Sequence, residues 1–294
     1  MLLLIGVIAG ALVPLQTIAN SRLSRSTGTA LSASLVSFSV GTVALFIVTL
    51  MMGALPNLSE VSAQPPWMLT GGALGVIALS GNILLFPKLG AVQTVILPIS
   101  GQIIAGMIID NFGLFDAPVL PADPTRILGA SVVMLGVLAC VWRPKSSGQE
   151  RHLPLQIAGI GFGMCLAAQS AINGQLGMSL DTPISAALIS FAVGTATLLV
   201  INIGLRWRPN LWITQNTQPL WMWTGGLLGA IFVSTNALLA PRIGTGLTVL
   251  ATLSGMMLAS VLIDRARGAK VNARQIAGLA TVIAGVSLLT LGNS

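Results

Sequence analysis

Gly6-Val7-Ile8-Ala9-Gly10-Ala11-Leu12-Val13-Pro14-Leu15-Gln16-Thr17-Ile18-Ala19-Asn20 returns in outline as Gly159-Ile160-Gly161-Phe162-Gly163-Met164-Cys165-Leu166-Ala167-Ala168-Gln169-Ser170-Ala171-Ile172-Asn173. Both stretches carry Gly-x3-Gly and then Gln-x3-Asn, at a spacing of 153 residues (16 to 169). The same spacing joins Ser37-Phe38-x2-Gly41-Thr42 to Ser190-Phe191-x2-Gly194-Thr195. A spacing of 154 (67 to 221) joins Trp67-Met68-x-Thr70-Gly71-Gly72-x-Leu74-Gly75 to Trp221-Met222-x-Thr224-Gly225-Gly226-x-Leu228-Gly229. That second register continues through Asn82/Asn236, Pro87/Pro241, Lys88/Arg242, Gly90/Gly244, Thr94/Thr248, Ser100-Gly101/Ser254-Gly255 and Asp110/Asp264. Agreement over most of two halves marks a duplicated unit.

The solvent of this unit follows from composition. The chain is 54% hydrophobic and 7% charged with mean hydropathy +0.91, whereas soluble domains carry roughly 25% charged residues. Apolar runs of about 20 residues, the length of a bilayer-crossing helix, recur along it. They predict ten spans near 2–20, 30–52, 67–86, 89–109, 126–142, 154–173, 184–205, 220–240, 243–263 and 275–292, five per repeat. Continuous Gly- and Ala-rich runs indicate helices rather than the alternating short strands of a barrel. The expected fold is therefore all-α: a polytopic membrane protein with a first repeat at 1–143, a short polar linker at 144–153 and a second repeat at 154–294. The first span starts apolar and carries the repeat signature, so it is expected to stay in the mature fold rather than act as a signal peptide.

Charge gives the topology. Arg22, Arg25, Lys88, Arg143, Lys145, Arg151, Arg206, Arg208, Arg265, Arg267, Lys270 and Arg274 fall in loops on one side, and only Arg126 and Arg242 on the other. By the positive-inside rule this places both termini outside the cytoplasm. Five spans per repeat turn the second half upside down, and equivalent loops carry opposite charge: Arg22 and Arg25 against Asp181, Glu60 against Arg206 and Arg208, and Asp110, Asp116 and Asp123 against Arg265, Arg267, Lys270 and Arg274. Two inverted five-helix repeats are a common transporter architecture, with substrate held near the midplane. The net charge of +7 thus orients the protein toward anionic membrane lipid, and no nucleic-acid motif accompanies it.

Several chemistries are absent from the sequence. The single histidine, His152, sits in the linker, so neither an HExxH zinc pair nor a Ser–His dyad within the spans can be assembled. No aspartate pair lies within spans, and no Walker loop is present. Cys140 and Cys165 lie within apolar spans, where they read as packing thiols. The expectation is a protein that is not an enzyme, with no catalytic residue, metal or cofactor.

Uncharged polar side chains inside spans remain. Gln16 and Asn20, four residues apart, share one helix face with Gly6 and Gly10, as Gln169 and Asn173 do with Gly159 and Gly163. An amide buried in hydrocarbon without a partner costs several kcal/mol. These side chains therefore either line a polar cavity or clamp helices beside a small-residue packing face. Asn82 and Asn236 pose the same choice, while Gly71, Gly72 and Gly75 and their counterparts read as close-packing positions. Lys88 and Arg242 follow their spans directly and suit either an anionic group or the last carbonyls of a helix. Asp110 and Asp264 read as solvated helix-end residues, and Pro98 faces Thr252 in the other repeat, which weakens a symmetric motif there.

The Gln-x3-Asn, Ser-Phe-x2-Gly-Thr and Trp-x3-Gly-Gly-x2-Gly motifs together resemble the YdcZ-like bacterial inner-membrane proteins of the drug/metabolite transporter superfamily, in a fused two-repeat form covering nearly the whole chain. The resemblance implies a transporter fold in the bacterial plasma membrane. It also implies that the first, third, fourth, sixth, eighth and ninth helices line a cavity, which gives Gln16, Asn20, Asn82, Gln93, Gln102, Gln169, Asn173 and Asn236 as substrate-lining candidates. The expected function is alternating-access carriage of a small organic solute, with a homodimer left open. A non-transporting scaffold or regulatory protein is the competing class, and an ion channel is disfavoured because no ring of charge or carbonyl filter is visible.

Overall fold

Long apolar helices with threonine caps build the molecule. In the computed structural model, residues 1–141, 153–205, 219–266, 276–282 and 284–285 are described, without the side chains of 82–84, 86–88, 90–96, 140, 141 and 264. Most of the linker with His152, and the bases Arg143, Lys145, Arg151, Arg206, Arg208, Arg267, Lys270 and Arg274, lie outside the described residues. Helix α1 (Leu2–Thr27) ends at Gly28, whose φ of 85° suits only glycine without strain. Helix α2 (Ala30–Met51) starts at Thr29, whose hydroxyl accepts from Ser32 N at 3.0 Å. The repeat reproduces that cap: Thr182 accepts from Ser185 N at 3.0 Å and opens α7 (Pro183–Gly204). A short helix α3 (Leu58–Ala63) and a 3-10 turn at Pro66–Leu69 lead into α4 (Gly71–Phe112), and α5 (Pro124–Val141) and α6 (Leu153–Ser179) follow. After α7 come α8 (Gly225–Ile243) and α9 (Thr245–Ala266), parted at Gly244, where φ is 84°. The described residues contain no strand.

Helix α4 covers 42 residues where the sequence predicts two spans. A straight helix of that length would stretch about 63 Å. Both its ends nevertheless meet the same end of α6. Gly71 lies against Asn173, and Asp116, just past the helix, accepts from Gln175 Nε2 at 2.6 Å. Leu85 and Leu97 both reach Gly159 near the other end of α6. The chain therefore reverses between Leu85 and Leu97, and 71–85 and 97–112 are two antiparallel limbs on α6. The two limbs pack separately along α6, and the chain turns back between them.

Contacts between the halves come in exchanged pairs. Gly10 of α1 abuts the Thr252 carbonyl of α9, and Gly163 of α6 abuts the Pro98 carbonyl. Because these contacts are to main chain, Thr and Pro are interchangeable there, which resolves the asymmetry noted in the sequence. Likewise Gly41 packs under the Phe191 ring and Gly194 under Phe38, the two rings lying 4.9 Å apart where α2 crosses α7. Thr42 and Thr195 share a hydrogen bond of 3.0 Å at the same crossing. Gly136 of α5 meets the Gly278 carbonyl, and Gly285 meets that of Gly129. Small residues let backbones approach this closely, which is how helices associate where lipid removes the hydrophobic drive.

The outer surface suits lipid. Val43, Phe46 and Leu50 on α2 and Val200 and Ile203 on α7 are exposed. Among the described residues, six helices, counting 220–243 as one, are long and apolar enough to cross a membrane. At one end of the bundle the acid-bearing connections gather: Ser185 Oγ donates to Ala54 O at 2.7 Å, Ser179 Oγ lies 3.9 Å from Met68 Sδ, and Gln175 holds Asp116. The connection carrying Arg22 and Arg25 meets the segment before α8 instead, where Ser26 lies 3.8 Å from Met222 Sδ.

Candidate functional site

The crossing of α4, α6 and α8 encloses a small polar cavity. Gln102 from the second limb of α4, Gln169, Ser170 and Asn173 from α6, and Asn236 from α8 line it, with Leu166, Phe232 and Val233 closing its apolar side. Its volume is about 10 Å³, room for a single water. Four of the sequence-derived candidates, Gln102, Gln169, Asn173 and Asn236, thus converge on one point.

How the amides are seated depends on glycine. On α6, Asn173 is pressed onto Gly71 and Gln169 onto Gly75 of α4; on α1, Asn20 is pressed onto Gly225 and Gln16 onto Gly229 of α8. A methyl at any of these glycines would overlap the amide. Asn173 is 1% exposed and donates to Ser190 Oγ at 3.1 Å. Asn236 Nδ2 donates back to Phe232 O at 2.8 Å, which fixes its rotamer. Asn20 Oδ1 and Asn173 Oδ1 are both buried without a donor from the protein, each against a glycine Cα, where a weak C–H···O contact offsets part of the desolvation. Gln16 and Asn20 do not line the cavity, and the side chains of Asn82, Gln93 and Lys88 lie outside the described residues.

Sequence reasoning missed Ser170 and Ser190. Ser190 belongs to the recurring Ser-Phe-x2-Gly-Thr motif, so the signal existed, but periodicity alone does not tell that its hydroxyl holds Asn173. Arg242 is exposed and donates Nη1 to Leu238 O at 2.6 Å, a contact with the carbonyls at the end of its helix.

Asp110 requires a correction. Expected to be a solvated helix-end residue, it is 0% exposed. Its Oδ1 accepts from Thr245 N at 2.6 Å, and its Oδ2 from Gly246 N at 2.9 Å and Arg126 Nη2 at 2.8 Å. The first amides of α9 have no partner within their own helix. A carboxylate from the other half satisfies them, and the helix dipole favours its charge. Asp264 lies outside the described side chains.

A family model described as "Putative inner membrane exporter, YdcZ" matches residues 1–139 and again 155–288. A solved structure described only as "Crystal structure of protein" superposes with a TM-score of 0.77 over 99% of this chain and 97% of that one, at 16% identity. At that identity the likeness is one of fold. No curated protein matches the sequence.

Proposed function

The chain belongs to the DMT_YdcZ family of inner-membrane exporters, and on that premise we propose that it is a ten-helix carrier of two inverted repeats moving a small organic solute by alternating access. The observation that carries this reading is the cavity where Gln102, Gln169, Ser170, Asn173 and Asn236 converge at the meeting of the two halves. Exchanged contacts such as Gly10 on Thr252 and Gly163 on Pro98 support the inverted arrangement. A lining of amides and one hydroxyl, without charge, suits a neutral, zwitterionic or weakly anionic solute better than a lipophilic cation. With room for a single water, the cavity must widen to one side to admit solute, and rocking of one set of helices against the other supplies that motion.

Membrane orientation follows the bases, with both termini outside the cytoplasm. Cysteines at Glu60 and Asp181 should then label in intact cells and one at Lys145 only after permeabilisation, and the reverse pattern would invert it. The function is tested by solute flux into proteoliposomes across a metabolite library. Asn20→Ala removes a side chain that makes no hydrogen bond to the protein and does not line the cavity, so flux and melting temperature should both stay near wild type. Asn173→Ala also loses the Ser190 bond, so stability should drop by about 1 kcal/mol together with flux. A wild-type protein that neither moves nor binds any solute supports the scaffold reading instead.

A further inference from the structure

We propose that Asp110, Arg126 and the first turn of α9 form a latch that holds one face of the central cavity shut and must release during the transport cycle. The proposal rests on the carrier reading above. Three elements from both halves meet at this point: the end of α4, the start of α5 and the start of α9. Besides the bonds already given, Arg126 Nη1 donates to Leu120 O at 2.7 Å, and Leu120 N donates to Asp110 O at 2.8 Å. The connection 113–123 is thereby folded over the α8–α9 junction, with Leu120 against Gly244. It is held there with Phe115 at φ 59° and Asp116 at φ 56°, left-handed conformations that cost non-glycine residues energy.

The latch lies in line with the cavity. Gln102 lines the cavity, Gly106 packs on Gly246, and Asp110 binds the α9 amides, at successive turns of one limb. The eight residues from Gln102 to Asp110 place the latch about 12 Å beyond the cavity. Between them, the Gly106–Gly246 contact is the seal. Replacing a buried ion pair by apolar residues often costs nothing, so stability alone is a poor reason for one. A joint made of a carboxylate, a guanidinium and helix-end amides has a different property: once parted, each of these polar groups can be taken up by water. This is the only ion pair among the described residues, with side chains 8% and 1% exposed. The repeat also places an acid, Asp264, at the position equivalent to Asp110 in the second half.

The test is accessibility. Thr248 is fully buried one turn inside the latch on α9, and its hydroxyl bonds only Gly244 O. Thr248→Cys, in a background with Cys140→Ala and Cys165→Ala, reports opening through its labelling rate with a charged methanethiosulfonate in detergent-purified protein. The intact latch should protect it. Asp110→Asn and Arg126→Gln should each speed labelling on the order of tenfold, the population shift expected from losing a charge-assisted hydrogen bond. Unchanged labelling in either folded variant would overturn the latch. If neither variant yields folded protein, the network is a permanent fastening and the proposal also fails. Flux in the wild type with unchanged labelling would sink the latch and leave the carrier standing. Faster labelling in a protein that moves no solute would do the opposite.

Discussion

Asn20 and Asn173 hold equivalent places in the two repeats, yet only Asn173 finds a hydroxyl, at 3.1 Å. What the two share is the glycine beneath them, and this makes the site testable residue by residue. The atoms that a methyl on Gly71 would meet all belong to the Asn173 side chain, whereas a methyl on Gly72 would meet the Ser190 carbonyl and the Gly194 backbone. Gly71→Ala should therefore destabilise by about 1–3 kcal/mol, as overpacking does. Asn173→Ala should recover part of that loss, because truncation removes the obstacle. Gly72→Ala should cost a similar amount and gain nothing from the same partner. Melting temperatures of the singles and doubles give the coupling; a Gly71–Asn173 pair that is merely additive would rule out the proposed seating. The sequence announced these amides and glycines through their recurrence. It was silent about Ser190 as a holder of Asn173 and misread Asp110, because a residue at a helix end looks solvated until the helix from the other half is brought against it.

At the scale of elements, span positions followed from apolar runs, since about 20 apolar residues have one economical fate in a bilayer. Span junctions were less legible. The junction expected at 87–88, between the third and fourth spans, falls within the reversal between Leu85 and Leu97. The equivalent junction in the second half does break, at Gly244 with φ 84°. There the glycine is required twice, by its dihedral and by the carboxylate of Asp110 and the side chain of Leu120 crowding any Cβ. Gly244→Ala should therefore cost about 1–3 kcal/mol from backbone strain alone, and more once Asp110 is displaced from the α9 amides. A melting temperature equal to wild type would mean that the junction readily adopts another conformation.

For the molecule as a whole, the connections that bear Glu60, Asp116 and Asp181 meet at one end of the bundle, and duplication was plain in the sequence. Substrate identity was not, because a lining of amides names hydrogen bonds rather than a molecule. Energy coupling is more tractable, because the chain has only seven acids. Glu60 is exposed and caps α3 from Asn57, where Asn57 Nδ2 donates to it at 2.8 Å. Asp123 accepts from Arg126 N at 2.8 Å. Asp110 is engaged by Arg126 and two amides at the end of α4. Asp116 and Asp181 belong to connections, and Glu150 and Asp264 to the linker and a span end. None is an intramembrane carboxylate of the kind that binds proton and cation by turns in many transporters. Flux should accordingly run down a solute gradient in proteoliposomes without a proton gradient, and a protonophore should leave its rate unchanged. The comparison needs the solute identified by the library screen and vesicles of equal internal and external pH. Should collapse of an imposed pH gradient abolish uptake while the protein stays folded, coupling must pass through a carboxylate after all, and Asp264, at the end of the ninth span, becomes the residue to replace.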